Sequence, residues 1–210
     1  MELYFAPLAC SMATRIVLDE IGRDATFTEV DTREKRILAH GGDFLAVNPL
    51  GQVPVLRTDD GVLLTENAAI LQYVARLAPE AGLLGADRDL PQLQEWLSFI
   101  GAELHKGVFT ALLSSKSSEE TKAAARKTAE PRLAVLDGRL AGREHLLDRF
   151  TVADAYLATV LNWSRASALD LGRWPNVTAY HARMLSRPSL ARAVRLERGL
   201  YAAELARLAA

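Results

Sequence analysis

The chain opens on Leu3-Tyr4-Phe5-Ala6, an unbroken apolar run ended by Pro7. A short run without polar alternation is the pattern of a buried strand. Ala13, Ile16, Val17 and Ile21 then fall at i, i+3, i+4 and i+8, which lines one face of a helix, and Gly22 stands where that helix should stop. Thr26 to Val30 sets Phe27 and Val30 among Thr and Glu, the pattern of a second strand. Strand, helix and strand in roughly thirty residues make a βαβ unit, whose crossover is expected to be right-handed.

The pattern then weakens. Asp31 to Lys35 and Arg36 form a charge run that reads as a solvated face, and Gly41-Gly42 breaks the chain. Asn48-Pro49 and Leu50-Gly51 are turn pairs, followed by Val53-Pro54 and the apolar Val55-Leu56. Proline is allowed at the start of a strand, and a cis bond there is compatible with the sequence. Asp59-Asp60-Gly61 is a hairpin signal, so 55–58 and 62–64 should pair antiparallel. Ile70, Tyr73, Val74 and Leu77 mark another helix, with Thr65 as its expected N-cap. The first unit is thus β-α-β, a connection, β-β and α.

Residues 79–91 are rich in Pro and Gly and mark a boundary between a unit of 1–80 and a second of 87–210. Everything beyond reads as helix. Leu93, Trp96, Leu97, Ile100 and Leu104 form one apolar stripe, and Ala125, Ala129, Leu133, Leu136 and Leu140 another. Thr151 and Asp154 have the spacing of a capping box. Pro175 suits a first helical turn, Arg187-Pro188-Ser189 separates the last two helices, and the Ala-rich tail 201–210 is expected to fray.

Bulk properties narrow the class. The 210 residues carry a net charge of −1, half are hydrophobic and one is cysteine. That charge leaves no global electrostatic footprint for nucleic acid or membrane. No apolar run approaches the ~18 residues of a bilayer span, and no basic-then-apolar leader opens the chain. A lone cysteine forms no internal disulfide and suits a reducing cytoplasm. One Cys and four scattered His give no metal-ligand spacing. Residues 1–80 hold 7 Lys/Arg against 12 Asp/Glu, a net of −5, whereas 81–210 carry +4, which supports two units.

Candidate chemistry starts at that cysteine. Cys10 follows the first strand at a helix start, where the macrodipole and unpaired amides favour a thiolate; a small buried hydrophobe is the alternative. Val53, Glu66 and Asn67 fall where the same rim of an α/β unit would lie, and Glu66-Asn67 opens a helix whose free amides suit a carboxylate. Ser98, Ala102 and His105, at i, i+4 and i+7, form a small polar stripe. A histidine facing a thiol accepts its proton or stabilises its thiolate.

Five segments in order carry a family resemblance: Pro7 to Ser11, Asn48 to Pro54, Leu64 to Ile70, Glu103 to Gly107, and Phe150 to Tyr156. The chain resembles the cytosolic glutathione transferases, in particular the bacterial beta class, over essentially its whole length. The resemblance implies a thioredoxin-like N-terminal domain (1–80) that binds glutathione and an all-helical bundle (87–210) that supplies a hydrophobic substrate site. It implies a cytoplasmic homodimer without metal, nucleic-acid or membrane partners, conjugating glutathione thiolate to small hydrophobic electrophiles. It makes Pro54 a cis proline and gives Val53 the cysteinyl backbone of glutathione, Glu66 and Asn67 its γ-glutamyl end, and Lys35 its glycyl carboxylate. Cys10 and His105 become the catalytic pair. Glu103 and Lys106 reach the site from a second subunit, and Ser98 contributes a contact although relatives carry asparagine there. Tyr4, Phe109, Leu112 and Trp163 are assigned to the electrophile, and the hydroxyls of Tyr4 and Ser11 are available as thiol activators. Two further activities fit the same residues: monothiol reduction or deglutathionylation through Cys10, and non-catalytic carriage of hydrophobic ligands.

Overall fold

The computed structural model describes residues 1–209. Contacts divide the chain into two compact units: Met1–Ala81 together with the chain from Pro188 onward, and Gly82–Arg187. The division at 1–80 and 87–210 follows order along the chain; the contacts add the last helix to the first unit.

In that first unit the elements are β1 (Glu2–Phe5), α1 (Met12–Glu20), β2 (Thr26–Asp31), β3 (Arg36–Ile37), β4 (Val55–Arg57), β5 (Leu63–Leu64) and α2 (Asn67–Arg76). The sheet runs β3-β2-β1-β4-β5, with only β1 and β2 parallel. β1 lies at its centre, Leu3 facing Phe27 on one side and Leu56 on the other, which explains its unbroken apolar sequence. Tyr4 points opposite to Leu3 and Phe5 and packs with Val30, Ile37, Phe44 and Val55. Ala13, Ile16 and Val17 are buried as the helical spacing requires, and α1 packs against α2. Gly22, at φ +62°, ends α1 in a Schellman motif, with Arg23 N donating to Leu18 O and Gly22 N to Asp19 O.

Two expectations change here. The charge run leads into a strand: β3, which begins at its last residue, pairs with β2 and buries Ile37, and two residues are too few to show alternation. The cap of α2 is Glu66, not Thr65. Glu66 adopts φ +64°, and its carbonyl receives the amides of Ala69 and Ile70, so a main-chain turn rather than a hydroxyl starts this helix.

The last helix, α8 (Pro188–Ala209), is fastened to the first unit by charge. It stays helical through Ala209, and Ala210 lies outside the described residues. Glu197 is wholly buried, accepting the Leu8 amide at 2.8 Å and Arg15 Nε at 2.8 Å. The Arg15 guanidinium stacks over Phe27 at 3.7 Å and Phe5 at 4.8 Å. Arg192 pairs with Asp19 at 2.8 Å.

The second unit holds α3 (Leu90–Phe99), a π-helical segment (Ile100–Phe109), α4 (Thr110–Leu113), α5 (Glu119–Leu140), α6 (Val152–Leu161) and α7 (Pro175–Ser186). Both apolar stripes read from the sequence are buried. Every residue of α6 is buried, so it is the central helix. Its start is organised by Asp154, whose carboxylate accepts Leu146 N, Thr151 N, Thr151 Oγ1 and Tyr180 Oη at 2.9–3.0 Å. Burial raises the Asp154 pKa against those four donors, and burial beside the carboxylate lifts Tyr180 well above the ordinary phenol value. Among the described residues no helix is long and apolar enough to cross a membrane, and no three His, Cys, Asp or Glu side chains cluster as metal ligands.

Candidate functional site

Cys10 lies in the turn between β1 and α1, with Ser11 as the N-cap, so it precedes the first helical turn. Leu8, at φ +57°, folds the chain back, and its amide is the one held by Glu197. Cys10 is 8% exposed and forms no disulfide; its Sγ donates to the Val53 carbonyl at 3.4 Å. The Val53–Pro54 bond is cis. Ser11 is buried, its hydroxyl between the amide and carbonyl of Ala6 at 3.4 and 3.3 Å. The Tyr4 hydroxyl donates to Glu2 at 2.9 Å and accepts from Arg57 at 3.1 Å, and the ring is part of the unit's core. Both hydroxyls offered as activators therefore already have hydrogen-bond partners.

Five of the residues assigned to glutathione, Cys10, Lys35, Val53, Glu66 and Asn67, belong to the first unit. Lys35, itself at φ +55°, donates its Nζ to the Gly51 carbonyl at 2.9 Å, two residues before Val53. Asn67 is buried at the start of α2, and its Oδ1 accepts from Thr14 of α1 at 3.4 Å. Its Nδ2 is a buried donor with no hydrogen-bond partner. Buried donors are nearly always satisfied, so this one beside a helix N-terminus suits an incoming carboxylate. Glu66 is exposed at the same helix start. Cation, helix terminus, orphan amide and thiol make up the set that a zwitterionic peptide with two carboxylates requires.

His105 belongs to the second unit and sits in the π-helical segment. Hydrogen bonds there close five residues back, and the His105 carbonyl receives both Thr110 N and Thr110 Oγ1, the latter at 2.9 Å. The wider turn breaks the i, i+4, i+7 register read from the sequence. Ser98 and Ala102 face solvent, whereas His105 is partly buried against aromatic rings. Its Nδ1 lies 2.8 Å from Tyr156 Oη, and its ring meets Trp163 edge-on at 4.9 Å. Trp163 also meets Phe109 at 5.8 Å, and Leu112 is buried on α4. Burial, helped by the charge of Lys106, lowers the His105 pKa to about 4. Glu103 is paired within its own chain to Arg132 at 2.5 Å, and Lys106 is exposed.

No local pattern signals Glu197 as the holder of Leu8 or Tyr156 as the partner of His105. Gly107 was the available clue to the π turn, since a Cβ there would stand 3.0 Å from the Ala102 carbonyl.

A thioredoxin-like α/β unit with a cysteine after β1, a cis proline before β4 and a following helical unit defines a class of thiol-handling proteins. Comparison with known proteins places the chain within it. Residues 9–77 match the family "Glutathione S-transferase, N-terminal domain" and residues 99–188 match "Glutathione S-transferase, C-terminal domain". Glutathione S-transferase GstA of Escherichia coli O157:H7 is 43% identical over 201 residues, 94% of this chain and 98% of that protein. The beta-class glutathione S-transferase of Sphingomonas chungbukensis has a TM-score of 0.89 and 40% identity, covering 94% of this chain and 98% of that one. A sphingomonad glutathione S-transferase solved in complex with glutathione has a TM-score of 0.88 and 42% identity, over the same shares of the two chains. The chain belongs to the glutathione S-transferase family.

Proposed function

We propose that this protein conjugates the thiolate of glutathione to small hydrophobic electrophiles. The observation that carries the reading is the Cys10–Val53 contact at the cis Val53–Pro54 bond, with the orphan Asn67 amide and the Lys35 ammonium in the same unit. Val53 offers its backbone to the cysteinyl residue of glutathione, much as an added strand pairs with a sheet edge. Lys35 takes the glycyl carboxylate; Glu66 takes the γ-glutamyl ammonium and Asn67 its carboxylate. Cys10 serves the glutathione sulfur, and His105 is the second catalytic residue that the resemblance assigns. Ser98, Glu103 and Lys106 add polar contacts, the last two from the second subunit of a homodimer. In that arrangement the Glu103–Arg132 pair shares the carboxylate with the incoming ligand. Phe109, Leu112 and Trp163 supply the apolar side for the electrophile; Tyr4 stays with the core. The cytoplasm, rich in reduced thiols, is the compartment that suits this chemistry.

The chemistry needs the sulfur ionised. A free thiol of pKa ~8.5 is only a few per cent thiolate at pH 7. Lowering that value by about two units is worth ~2.7 kcal/mol, within reach of a few well-placed hydrogen-bond donors. Comparing the protein with Cys10→Ala, for conjugation of a chlorinated nitroarene and for reduction of a glutathione mixed disulfide, tests the assignment. Surviving conjugation with lost reduction moves Cys10 to redox chemistry. Full retention of both removes Cys10 from the site, and glutathione binding without either activity favours a carrier.

A further inference from the structure

The first unit carries a cavity of about 250 Å³ between α1, the turn into β2, and α8. None of the residues assigned to glutathione lines it. Its wall has two kinds of surface. Leu18, Phe27, Ala193 and Leu196 are apolar, and Leu196 is 51% exposed. Arg15, Arg23 and Arg192 set three guanidinium groups against two carboxylates, Asp19 and Asp24. Arg192 pairs with Asp19 at 2.8 Å and Arg23 with Asp59 at 2.6 Å, both on the surface. Arg15 differs from these two. Its side chain is only 11% exposed, its Nε is spent on the buried Glu197 carboxylate at 2.8 Å, and its guanidinium lies over the rings of Phe27 and Phe5. A guanidinium has five N–H donors. The four on the Nη atoms of Arg15 meet no acceptor among the described residues. Held by a carboxylate and two rings, this guanidinium loses little freedom when a ligand arrives.

We propose that this cavity binds a small organic monoanion with an apolar body, of which an aryl carboxylate is the simplest, at a site separate from that of glutathione. The carboxylate takes the Nη hydrogens of Arg15, the fork geometry that suits two oxygens. The ring of the ligand lies against Leu18, Ala193 and Leu196. One charge is the limit. Glu197, Asp59 and Asp19 already balance the three guanidinium groups, so a second negative charge would stand beside Asp24 with no cation to offset it. The walls come from both α1 and α8, so an occupant ties the first helix of the unit to the last and stabilises the folded unit by mass action. The site stands whether or not the glutathione reading does, because the two share no lining residue.

The test titrates benzoate into the intact ¹⁵N-labelled protein, with and without saturating glutathione, and follows the backbone amides and the arginine Nε–H signals. Saturable shifts are expected at Ala25, Phe27, Ala193 and Leu196 and at Arg15 Nε–H. The expected dissociation constant is about 1 mM or tighter, and glutathione should leave it unchanged. Benzamide keeps the shape of benzoate and loses the charge, and should bind at least about tenfold more weakly. Arg15 itself is a poor target, since its removal strands the buried Glu197. Leu196→Glu instead adds a carboxylate on an exposed part of the wall. It should weaken benzoate about tenfold by like-charge repulsion and leave glutathione binding as it was, which also shows that the variant folds. Any one of four results overturns the proposal: no saturable shifts at those residues, benzamide binding as well as benzoate, displacement by glutathione, or unchanged benzoate affinity in Leu196→Glu.

Discussion

The ammonium of Lys35 rests on the carbonyl of Gly51, 2.9 Å away, and its stem crosses the one face of Gly51 that a side chain would fill. A Cβ at residue 51 would stand 2.7 Å from Lys35 Cδ and 2.9 Å from Cε, at a backbone φ of +59°. Gly51 therefore serves the turn and the lysine together. In Gly51→Ala the left-handed backbone is expected to cost about 1–2 kcal/mol. The flexible lysine stem would swing aside, so the larger effect falls on ligand binding. The KM for glutathione should rise roughly tenfold with kcat much less affected, as for loss of one charge-assisted contact. Steady-state kinetics with urea unfolding checks both, and an unchanged KM would sever Lys35 from the glutathione site.

The buried pair of Glu197 and Arg15 predicts a non-additive pair of mutations. Glu197→Leu leaves the Arg15 guanidinium and the Leu8 amide without their acceptor in the interior, at an expected cost of about 3–5 kcal/mol. Adding Arg15→Met removes the stranded charge, and the double variant should recover a substantial part of that loss, because apolar replacements of buried ion pairs are often near neutral. Urea midpoints of both variants measure the coupling. A double variant no more stable than Glu197→Leu would show that the pair is not what fastens the helix.

Stability should depend on pH through the histidines. Burial lowers the pKa of His181 to about 4, and its Nε2 is buried without a hydrogen-bond partner. The folded-state value is depressed below the ordinary 6.5, so the unfolded chain binds the proton more readily. The resulting stabilisation is present in full above pH ~6.5 and is lost as pH falls toward 4. Asp154 and Glu197, both raised by burial, act in the opposite sense. A difference between variants therefore isolates the histidine. His181→Phe should lower the slope of unfolding free energy against pH between 6.5 and 4 by up to about 1.4 kcal/mol per pH unit. Equal slopes in denaturant titrations at several pH values would rule the effect out.

What could be read from the sequence was whatever repeats locally. β1, α1 and the 55–64 hairpin announced themselves through apolar spacing and turn residues, and the Thr151–Asp154 pair through its own spacing. Cys10, Val53 and Asn67 could be assigned because a family pattern links them. The misses share a cause. β3 is too short to alternate, and the π segment carries an α-like stripe with one residue too many in the turn. Glu197 meets partners 182 and 189 positions away; on its own helix it looks like any surface acid. His105 meets a tyrosine 51 residues later, a contact no local pattern encodes.

The fastening of α8 sets an order on synthesis. The turn that presents Cys10 leaves the ribosome well before the carboxylate that holds its Leu8 amide, which lies 189 residues further along the chain. Domains fold largely as they emerge. The helical unit of 82–187 is thus complete, as a contact unit, before the α/β unit that began first can close. The unit that carries the thiol thus waits on residue 197, although its own first strand was made before the helical unit began.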